Sequence, residues 1–358
     1  MQLHRFDLKP FSRFAERQGY AFEGVTNGSA ELISAYGGGV LRAGIDFDSV
    51  RVNGVPLVDS RFESRWDLQS RRALFRLIDR AADSSIVEGF YAPADKRLEA
   101  DVHLRRIDLS LLDPVLKGVL RETQGMADAS LRLTNPGGKL TLDGTIGVGT
   151  FRSTVDYTNV PYTMSDAVID VRRNTMTLRP TELYGPSGGR AGFDMSFANP
   201  RNLSYEVHVR PDRTLVLNTT PRQNELFYGS VYATGSATIR GNKNGVSMDI
   251  VAASAENTRF FLPLGNGGSD ISAADFIVFE DPAKRAADDS LRSVSRRRQF
   301  LSRRMGRESF RSDMDIKMAL DIRPNAEMQL TLDQAGDNVL RGRGNGTLNL
   351  HVNPVDKE

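Results

Sequence analysis

Asp313-Met314-Asp315-Ile316-Lys317-Met318-Ala319-Leu320-Asp321-Ile322 decides the fold. Met314, Ile316, Met318, Leu320 and Ile322 alternate with Asp315, Lys317, Ala319 and Asp321. An apolar residue at every second position puts all five on one side of an extended strand, and no helical spacing accommodates them. The next run downstream places Met328, Leu330 and Leu332 on one side in the same way. Upstream, Phe193, Met195 and Phe197 are followed by Leu203, Tyr205, Val207 and Val209, which alternate with Ser204, Glu206, His208 and Arg210. Met248 with Ile250, Leu140 with Leu142, and Leu348, Leu350 and Val352 repeat the period.

Turn signals separate these runs: Asn53-Gly54, Asn135-Pro136-Gly137-Gly138, Gly185-Pro186-Ser187-Gly188-Gly189, Asn199-Pro200 and Asn244-Gly245. Apolar alternation punctuated by Gly, Asn and Pro reads as a meander of antiparallel hairpins and not as βαβ units. Leu74, Leu77, Ile78 and Ala81 fit one face of a short helix, while Phe75 and Leu77 suit a strand that turns at Asp83-Ser84, the reading preferred here. Leu111 to Leu120, with Pro114 just after Asp113, reads as one or two helical turns capping an end of the sheet. Residues 283–311 break the pattern. They hold Arg292, Arg296, Arg297, Arg298, Arg303, Arg304, Arg307 and Arg311 with few apolar partners, which predicts a loop or exposed helix inserted between strands.

Composition agrees with a chain of many turns and few thick layers. Charged residues reach 26% and Gly fills 32 positions, while AVILMFWYC make up 39%. Lys and Arg (47) nearly cancel Asp and Glu (45), so no global positive field draws the chain to nucleic acid. The absence of Cys excludes disulfides, thiolate catalysis and Cys-ligated zinc, and suits an oxidising or a reducing compartment equally. No apolar run is long enough for a transmembrane helix, and Arg5, Lys9, Arg13 and Arg17 interrupt the first residues, so no signal peptide is legible.

Strands in this number cannot lie in one open sheet without leaving an apolar face to be covered. A sandwich or barrel covers it with another face of the same chain; a bent sheet covers it with a ligand. Composition leaves both open.

A resemblance narrows the choice. Leu215-Val216-Leu217-Asn218-Thr219-Thr220, Asn224-Glu225-Leu226-Phe227-Tyr228-Gly229, Tyr232-Ala233-Thr234-Gly235 and Phe260-Phe261-Leu262-Pro263-Leu264 resemble the C-terminal region of TamB-family proteins. Asp275 to Pro282, Leu320 to Leu330 and Arg341 to Leu348 resemble the same region. Leu104-Arg105-Arg106-Ile107-Asp108-Leu109, running to Pro114, is similar to the strand, short helix, strand unit repeated in TamB and its AsmA-like relatives. The likeness covers about Ala100 to Asn353 and is most specific in the last 140 or so residues; residues 1–99 rest on pattern alone.

The resemblance implies an all-β chain: an elongated antiparallel sheet curved into a U-shaped apolar groove, with one or two short helices and the Arg-rich insert. On that reading 1–99 are N-terminal groove strands, 100–282 groove repeats, 283–311 the insert and 312–358 the last groove strands. The alternating residues named above, from Phe193 to Leu332, become the groove lining. The family further implies phospholipid acyl chains as cargo, a TamA-like outer-membrane barrel and the membranes as partners, and the periplasm of a Gram-negative bacterium as location. The full-length protein would be anchored in the inner membrane, and this sequence is expected to be a piece of it. Three roles follow from different classes: a lipid-conducting groove, a scaffold for outer-membrane protein assembly, and a β-helical hydrolase or adhesin.

Catalytic signals are weak. His4, His103, His208 and His351 stand singly, with no metal-ligand spacing, and His103 and His208 occupy polar positions of alternating strands. No G-x-S-x-G, P-loop or H-E-x-x-H is present. Gly37-Gly38-Gly39 and Gly265 to Gly268 begin no βαβ unit, and Asp46 with Asp48 or Asp313 with Asp315 alternate on outward faces. The reading is a non-catalytic chain without cofactor or metal. Its insert generates a first test: trypsin should cut first within 283–311, at rates well above those for other Lys and Arg bonds, and protection of that segment by mass mapping would contradict the assignment.

Overall fold

The computed structural model describes residues 2–15, 19–35, 38–198, 204–223, 228–242, 245–263, 277–278, 313–331 and 339–352. Strand accounts for 73% and helix for 7%, which settles the class as all-β. The strands belong to one large mixed sheet that does not close into a barrel. By contacts the chain divides into two compact units, residues 1–152 with 165–179 and residues 153–164 with 180–358. The expected insert at 283–311 lies outside the described residues. Among the described residues no helix is long and apolar enough to cross a membrane.

The first unit is built on β1 (Gln2–Asp7), β2 (Phe22–Ala35), β3 (Gly38–Val52), β4 (Val55–Pro56), β5 (Ser60–Asp67), β6 (Arg72–Asp79), β7 (Ser84–Ala92), β8 (Arg97–Asp108), β9 (Leu120–Thr134) and most of β10 (Thr141–Val155). β11 (Val160–Arg172) and β12 (Thr175–Tyr184) contribute to both units. From β1 to β3, and from β5 to β9, each strand pairs antiparallel with the next, and β3 reaches β5 across the two-residue β4. Strand is therefore right for Phe75 and Leu77, and the turn falls at 80–83. Helical turns are present but earlier than expected, as Leu109–Leu112 and Asp113–Leu116, opened by Asp108, whose carboxylate accepts the Ser110 N–H at 2.9 Å, while Leu120 already begins β9.

A second copy of this strand, helix, strand unit stands at the start of the chain. One constant displacement in sequence relates Leu3 to Leu104, Arg5 to Arg106, Asp7 to Asp108, Leu8 to Leu109, Ser12 to Asp113 and Gly24 to Gly125. The geometry repeats with it. Arg5 (φ 45°) gives its N–H to Asn27 Oδ1 at 2.8 Å, and Arg106 (φ 52°) gives its own to Asp128 Oδ1 at 2.9 Å. Both strands bulge at this residue, between Leu3 and Phe6 and between Leu104 and Ile107. Gly24 (φ 127°) and Gly125 (φ 138°) take a backbone conformation that only glycine adopts readily. Ser12 Oγ caps Phe22 N–H at 2.7 Å, as Asp113 Oδ1 caps Thr123 N–H at 3.2 Å.

The second unit contains β13 (Arg190–Ala198), β14 (Ser204–Asp212), β15 (Thr214–Thr219), β16 (Tyr228–Gly241), β17 (Gly245–Ser254), β18 (Arg259–Pro263), β19 (Ile277–Val278), β20 (Asp313–Ile322), β21 (Glu327–Thr331), β22 (Val339–Gly342) and β23 (Gly346–Val352). Here the expectation of a purely antiparallel meander fails. β17 pairs parallel with β20 and β18 with β21, at one shared register: Gly245 faces Asp313 and Arg259 faces Glu327. The 264–312 connection, which the hairpin rules do not limit, is long enough for a parallel return.

The same unit bends. β16 runs straight through, but its partners are broken in two: β14 pairs with 237–241 and β15 with 229–233, β17 with 233–241 and β18 with 228–230. β20 and β21 are split likewise by residues 323–326. The crease passes through Thr214, Ala233, Ser254, Thr258 and Ala326, each 3% exposed or less. Small or hydroxyl side chains let the chain turn there, and the hydroxyls replace ladder bonds lost at the corner. Thr258 Oγ1 donates to Tyr232 O at 2.9 Å and accepts from Tyr232 N at 3.1 Å; Ser254 Oγ accepts Arg323 N–H at 2.9 Å.

Strand ends are clamped by asparagine. Asn53 accepts from Ala21 N and donates to Gly19 O; Asn135 does the same to Leu98 N and Lys96 O, and Asn174 to Leu142 N and Leu140 O, all between 2.6 and 3.1 Å. The side-chain amide thus stands in for one more peptide of a neighbouring strand. Asn174→Ala should cost about 1 kcal/mol, one part-buried and one exposed hydrogen bond partly replaced by water, and Asn174→Asp, which keeps the acceptor and loses the donor, should cost about as much. Denaturant midpoints measure both, and an unchanged Asn174→Ala midpoint refutes the clamp.

Candidate functional site

Pairing places directly opposed residues on the same face of a sheet, so the register can be followed strand by strand. In the second unit Phe193 opposes Val209, Val209 opposes Ala237, Ala237 opposes Ile250 and Ile250 opposes Met318. The next row is Met195, Val207, Ile239 and Met248; the one beyond is Phe197, Tyr205, Gly241 and Val246. On the other side lie Gly235, Ala252 and Leu320. These residues form a continuous apolar surface across five strands, which at about 4.8 Å per strand is roughly 19 Å wide. Apart from the buried Gly241 and Leu320, they are all half-buried, and the described residues of this unit contain no helix beyond a three-residue turn at Pro186–Gly188 that could overlie them.

The bend deepens this surface. Leu320 and Ile322 on one side of the crease pack with Ala326, Ala252 and Met318 and with Phe260 and Met328 from the other side. The apolar faces of the two arms therefore meet at the corner and line a concave wall. Tyr205 is held flat over Gly241 on the neighbouring strand, where a Cβ would come within 2.3 Å of the phenol; burial pushes the Tyr205 hydroxyl pKa up. An aromatic ring over a cross-strand glycine restores the contact area the glycine lacks.

The reverse face is wet. Asp194, His208, Thr238, Asp249 and Lys317 form one of its rows, and Glu206, Arg240, Ser247 and Asp315 another. Arg240 pairs with Glu206 and Arg210 with Asp194, both at 2.8 Å. His208 Nδ1 lies 3.2 Å from Thr238 Oγ1 on this polar face, and His103 Nδ1 lies 3.2 Å from Ser130 Oγ. Among the described residues no three His, Cys, Asp or Glu side chains group as metal ligands.

Of the sequence-predicted lining, the structure brings Phe193, Met195, Phe197, Tyr205, Val207, Val209, Met248, Ile250 and Met318 into these rows and sets Leu320 and Ile322 in the corner. Leu203 and Leu332, and the side chains of Met314, Ile316 and Leu330, lie outside the described residues.

Sequence reasoning placed this stretch among the groove strands but named no lining residues in it, and a second apolar surface lies there. In the first unit Ile45, Phe62, Leu77, Val87, Val102 and Leu131 oppose one another in turn across six strands, all half-buried. Its reverse carries Glu63, Arg76, Glu88, Asp101 and Arg132. The hydrogen bond from Arg76 holds the Glu63 carboxyl below the usual carboxylate range, and Arg179 does the same for Asp170. Phe90, the aromatic on the wet side, is covered by Arg72, 4.1 Å from its ring centre. The signal was present in Arg61-Phe62-Glu63 and Asp101-Val102-His103, but a bulge between Leu77 and Ile78 and the alanines between the larger residues dilute it.

Residues 188–357, which hold the bent arms and the five-stranded apolar wall, match the family model of the TamB C-terminal domain. Over those residues the chain belongs to the TamB family. No curated protein and no solved structure matches the chain. The TamB family comprises envelope proteins of Gram-negative bacteria that serve lipid or protein transport and are generally non-enzymatic.

The corner makes a thermodynamic claim. Leu320→Ala removes an 8%-exposed side chain from the packed crease and should cost about 2–3 kcal/mol, whereas Val251→Ala, 63% exposed on the wet face, should cost under about 0.5 kcal/mol. Equal midpoints in urea would show that the crease is not packed.

Proposed function

We propose that the apolar wall conducts phospholipid acyl chains, and that this TamB-family chain is a non-catalytic segment of a lipid-transfer path between the inner and outer membranes across the periplasm. The observation that supports this reading is the unbroken apolar surface in each unit: adjacent strands present Phe, Met, Val, Leu and Ile at matched positions without a polar interruption. Ordinary packing would bury such a surface under a second layer.

The energetics favour a conduit of this kind. Each CH₂ exposed to water costs about 0.8 kcal/mol, so a sixteen-carbon chain costs on the order of 12 kcal/mol unless it is shielded. Apolar side chains shield without directional bonds, so no single position traps the cargo. Met195, Met248 and Met318 add unbranched side chains that adapt to an irregular partner. The headgroup needs no site on the wall, because an open sheet leaves it in water.

The test uses Met318, half-buried beside Ile250 at the end of the row that starts at Phe193, and Lys317, exposed on the reverse face. Met318→Arg should fold, because in an open trough the guanidinium reaches water. It should lose most of the phospholipid that solvent extraction and mass spectrometry recover from the wild-type chain. A photo-crosslinker at position 318 should capture lipid and one at 317 should not. Equal labelling at both, or none at either, refutes the reading. Capture of an outer-membrane barrel at 318 in place of lipid would favour the assembly scaffold.

A further inference from the structure

The apolar surface of the first unit ends differently at its two limits along the strands. At one limit its last row is Trp66, Ala73, Tyr91 and Leu98; at the other it is Phe47, Ser60, Asp79 and Ser84. The first row carries donors on apolar rings, the indole N–H of Trp66 and the phenol of Tyr91, both half-buried. Tyr91 Oη has no hydrogen-bond partner among the described residues. The second row carries hydroxyls and an acid: Ser60 is buried, and the Asp79 carboxylate accepts the Ala81 and Ala82 N–H groups at 2.9 and 3.1 Å.

Charge divides the same way. The turns beside Trp66 and Tyr91, at 67–72, 93–97 and 135–140, hold Arg71, Arg72, Lys96, Arg97 and Lys139 against Asp67 and Asp95. Asp67 is engaged locally, accepting from the Ser70 hydroxyl and from the Gln69 and Ser70 N–H groups. Arg97 pairs with Glu99 and Arg72 lies over Phe90, while Lys96 and Lys139 are exposed, with no ion-pair partner among the described residues. At the opposite ends of these strands Asp59, Asp79 and Asp83 stand against Arg80, which pairs with Asp48. On the neighbouring strands of that end Arg105 and Arg106 face Asp108 and Asp128, so it carries no excess of cations.

We propose that the first unit holds a diacyl glycerophospholipid lengthwise along its strands, with the phosphate and ester oxygens at the Trp66–Tyr91 rim and the chain ends toward Ser60 and Asp79. This rests on the conduction reading and adds to it an orientation and a required phosphate. Ser60 and Trp66 open and nearly close β5, a span of about 20 Å at about 3.4 Å per residue. The acyl chains of one leaflet fill about 15 Å, half of a hydrocarbon core of about 30 Å, so they fit between the two limits. Indole and phenol rings settle at headgroup level in bilayers because the ring prefers hydrocarbon and the donor prefers phosphate and ester oxygens; Trp66 and Tyr91 offer that boundary on the sheet. Lys96 and Lys139 beyond it attract the phosphate, and the Asp79 carboxylate repels it from the far end. Chains laid across the strands, along one row, would instead place the headgroup among Phe62, Leu77 and Val87. Lengthwise cargo passes from β5 to β7 without turning, since each strand presents the same order of rows.

The experiment loads the 358-residue chain with phosphatidylcholine bearing a photoreactive group beside the glycerol ester, or at the far end of an acyl chain. After illumination, trypsin cuts at Arg51, Arg61, Arg65 and Arg71, which puts Ser60 and Trp66 on separate peptides, 52–61 and 66–71. The ester-proximal label should mark 66–71 and the chain-end label 52–61. Diacylglycerol with the ester-proximal label, which lacks the phosphate, should mark 66–71 more weakly. Lys96→Glu with Lys139→Glu, on exposed turns, should lower ester-proximal labelling of 66–71 about fivefold or more, and Tyr91→Phe, which keeps the ring, about threefold. Asp83→Lys, at an exposed turn of the far end, should leave the order unchanged. Circular dichroism checks each fold, and the lysine reversals and Tyr91→Phe test the rim independently. Equal marking of both peptides by both lipids, or the reverse order, overturns the orientation and leaves conduction standing. Diacylglycerol that labels as phosphatidylcholine does, or lysine reversals without effect, overturns the phosphate assignment. Absence of either label from every wall peptide sinks the conduction reading and the orientation together.

Discussion

Strand register is the constraint on which everything else in this protein depends. Because side chains alternate between faces, a slip of one residue on any strand would move its Phe, Met and Val to the wet side and its Arg and Asp to the apolar side. The fold fixes register by more than the apolar alternation. Asparagine amides clamp three strand ends, Tyr205 fits over Gly241 alone, and bulges at Arg5 and Arg106 are fixed by side-chain acceptors on the next strand. Cross-strand ion pairs on the reverse face, such as Arg76 with Glu63 and Arg240 with Glu206, add an electrostatic cost to slippage, modest because each is exposed.

The crease follows from the same constraint. A long sheet in water must either cover its apolar face or curve it away. Breaking three strands at one line while β16 continues through it curves the surface without losing register, since both parallel ladders keep the same sequence displacement across the corner. The cost falls on the backbone groups at the bend, and Thr258 and Ser254 meet it with buried hydroxyls. Leu320 and Ile322 form the hinge of the two arms.

Much of this was legible in the sequence, for a physical reason. Period two is a local property, so Met314 to Ile322 and Tyr205 to Val209 revealed strands and their two faces without any knowledge of partners. That a helical cap sits near Asp113-Pro114 was legible because Asp and Pro act on their own neighbours, although its opening at Asp108 was not. Parallel return of β20 beside β17 was not, because the connection between them is long and pairing across such a distance leaves no mark in either segment. The asparagine clamps were hidden for a similar reason: Asn135 reads as a turn residue, and its amide serves Leu98. The first cap was within reach, since Arg5, Asp7 and Leu8 reappear as Arg106, Asp108 and Leu109. The residues between them differ enough that only the shared bulge and hydrogen bonds make the copy plain.

An apolar wall exposed to water is a liability for solubility, and in the proposed function it is the path for lipid. Whatever occupies it binds the folded sheet and not the unfolded chain, so occupancy adds RT ln(1 + [L]/Kd) to stability. That gain is spread over many similar positions, because adjoining rows offer nearly equal contact: Ile250 beside Met318 is little different from Val207 beside Ile239. Near-equality between neighbouring positions is what motion requires. A wall with one deep site would be more stable when loaded and would hold its cargo there; a wall of matched shallow contacts is stabilised by any occupant while leaving each free to shift by one strand. If the wall conducts as proposed, the alternation that specifies the fold also sets the smoothness of the path, and a substitution that deepens one contact would slow movement even as it strengthened binding.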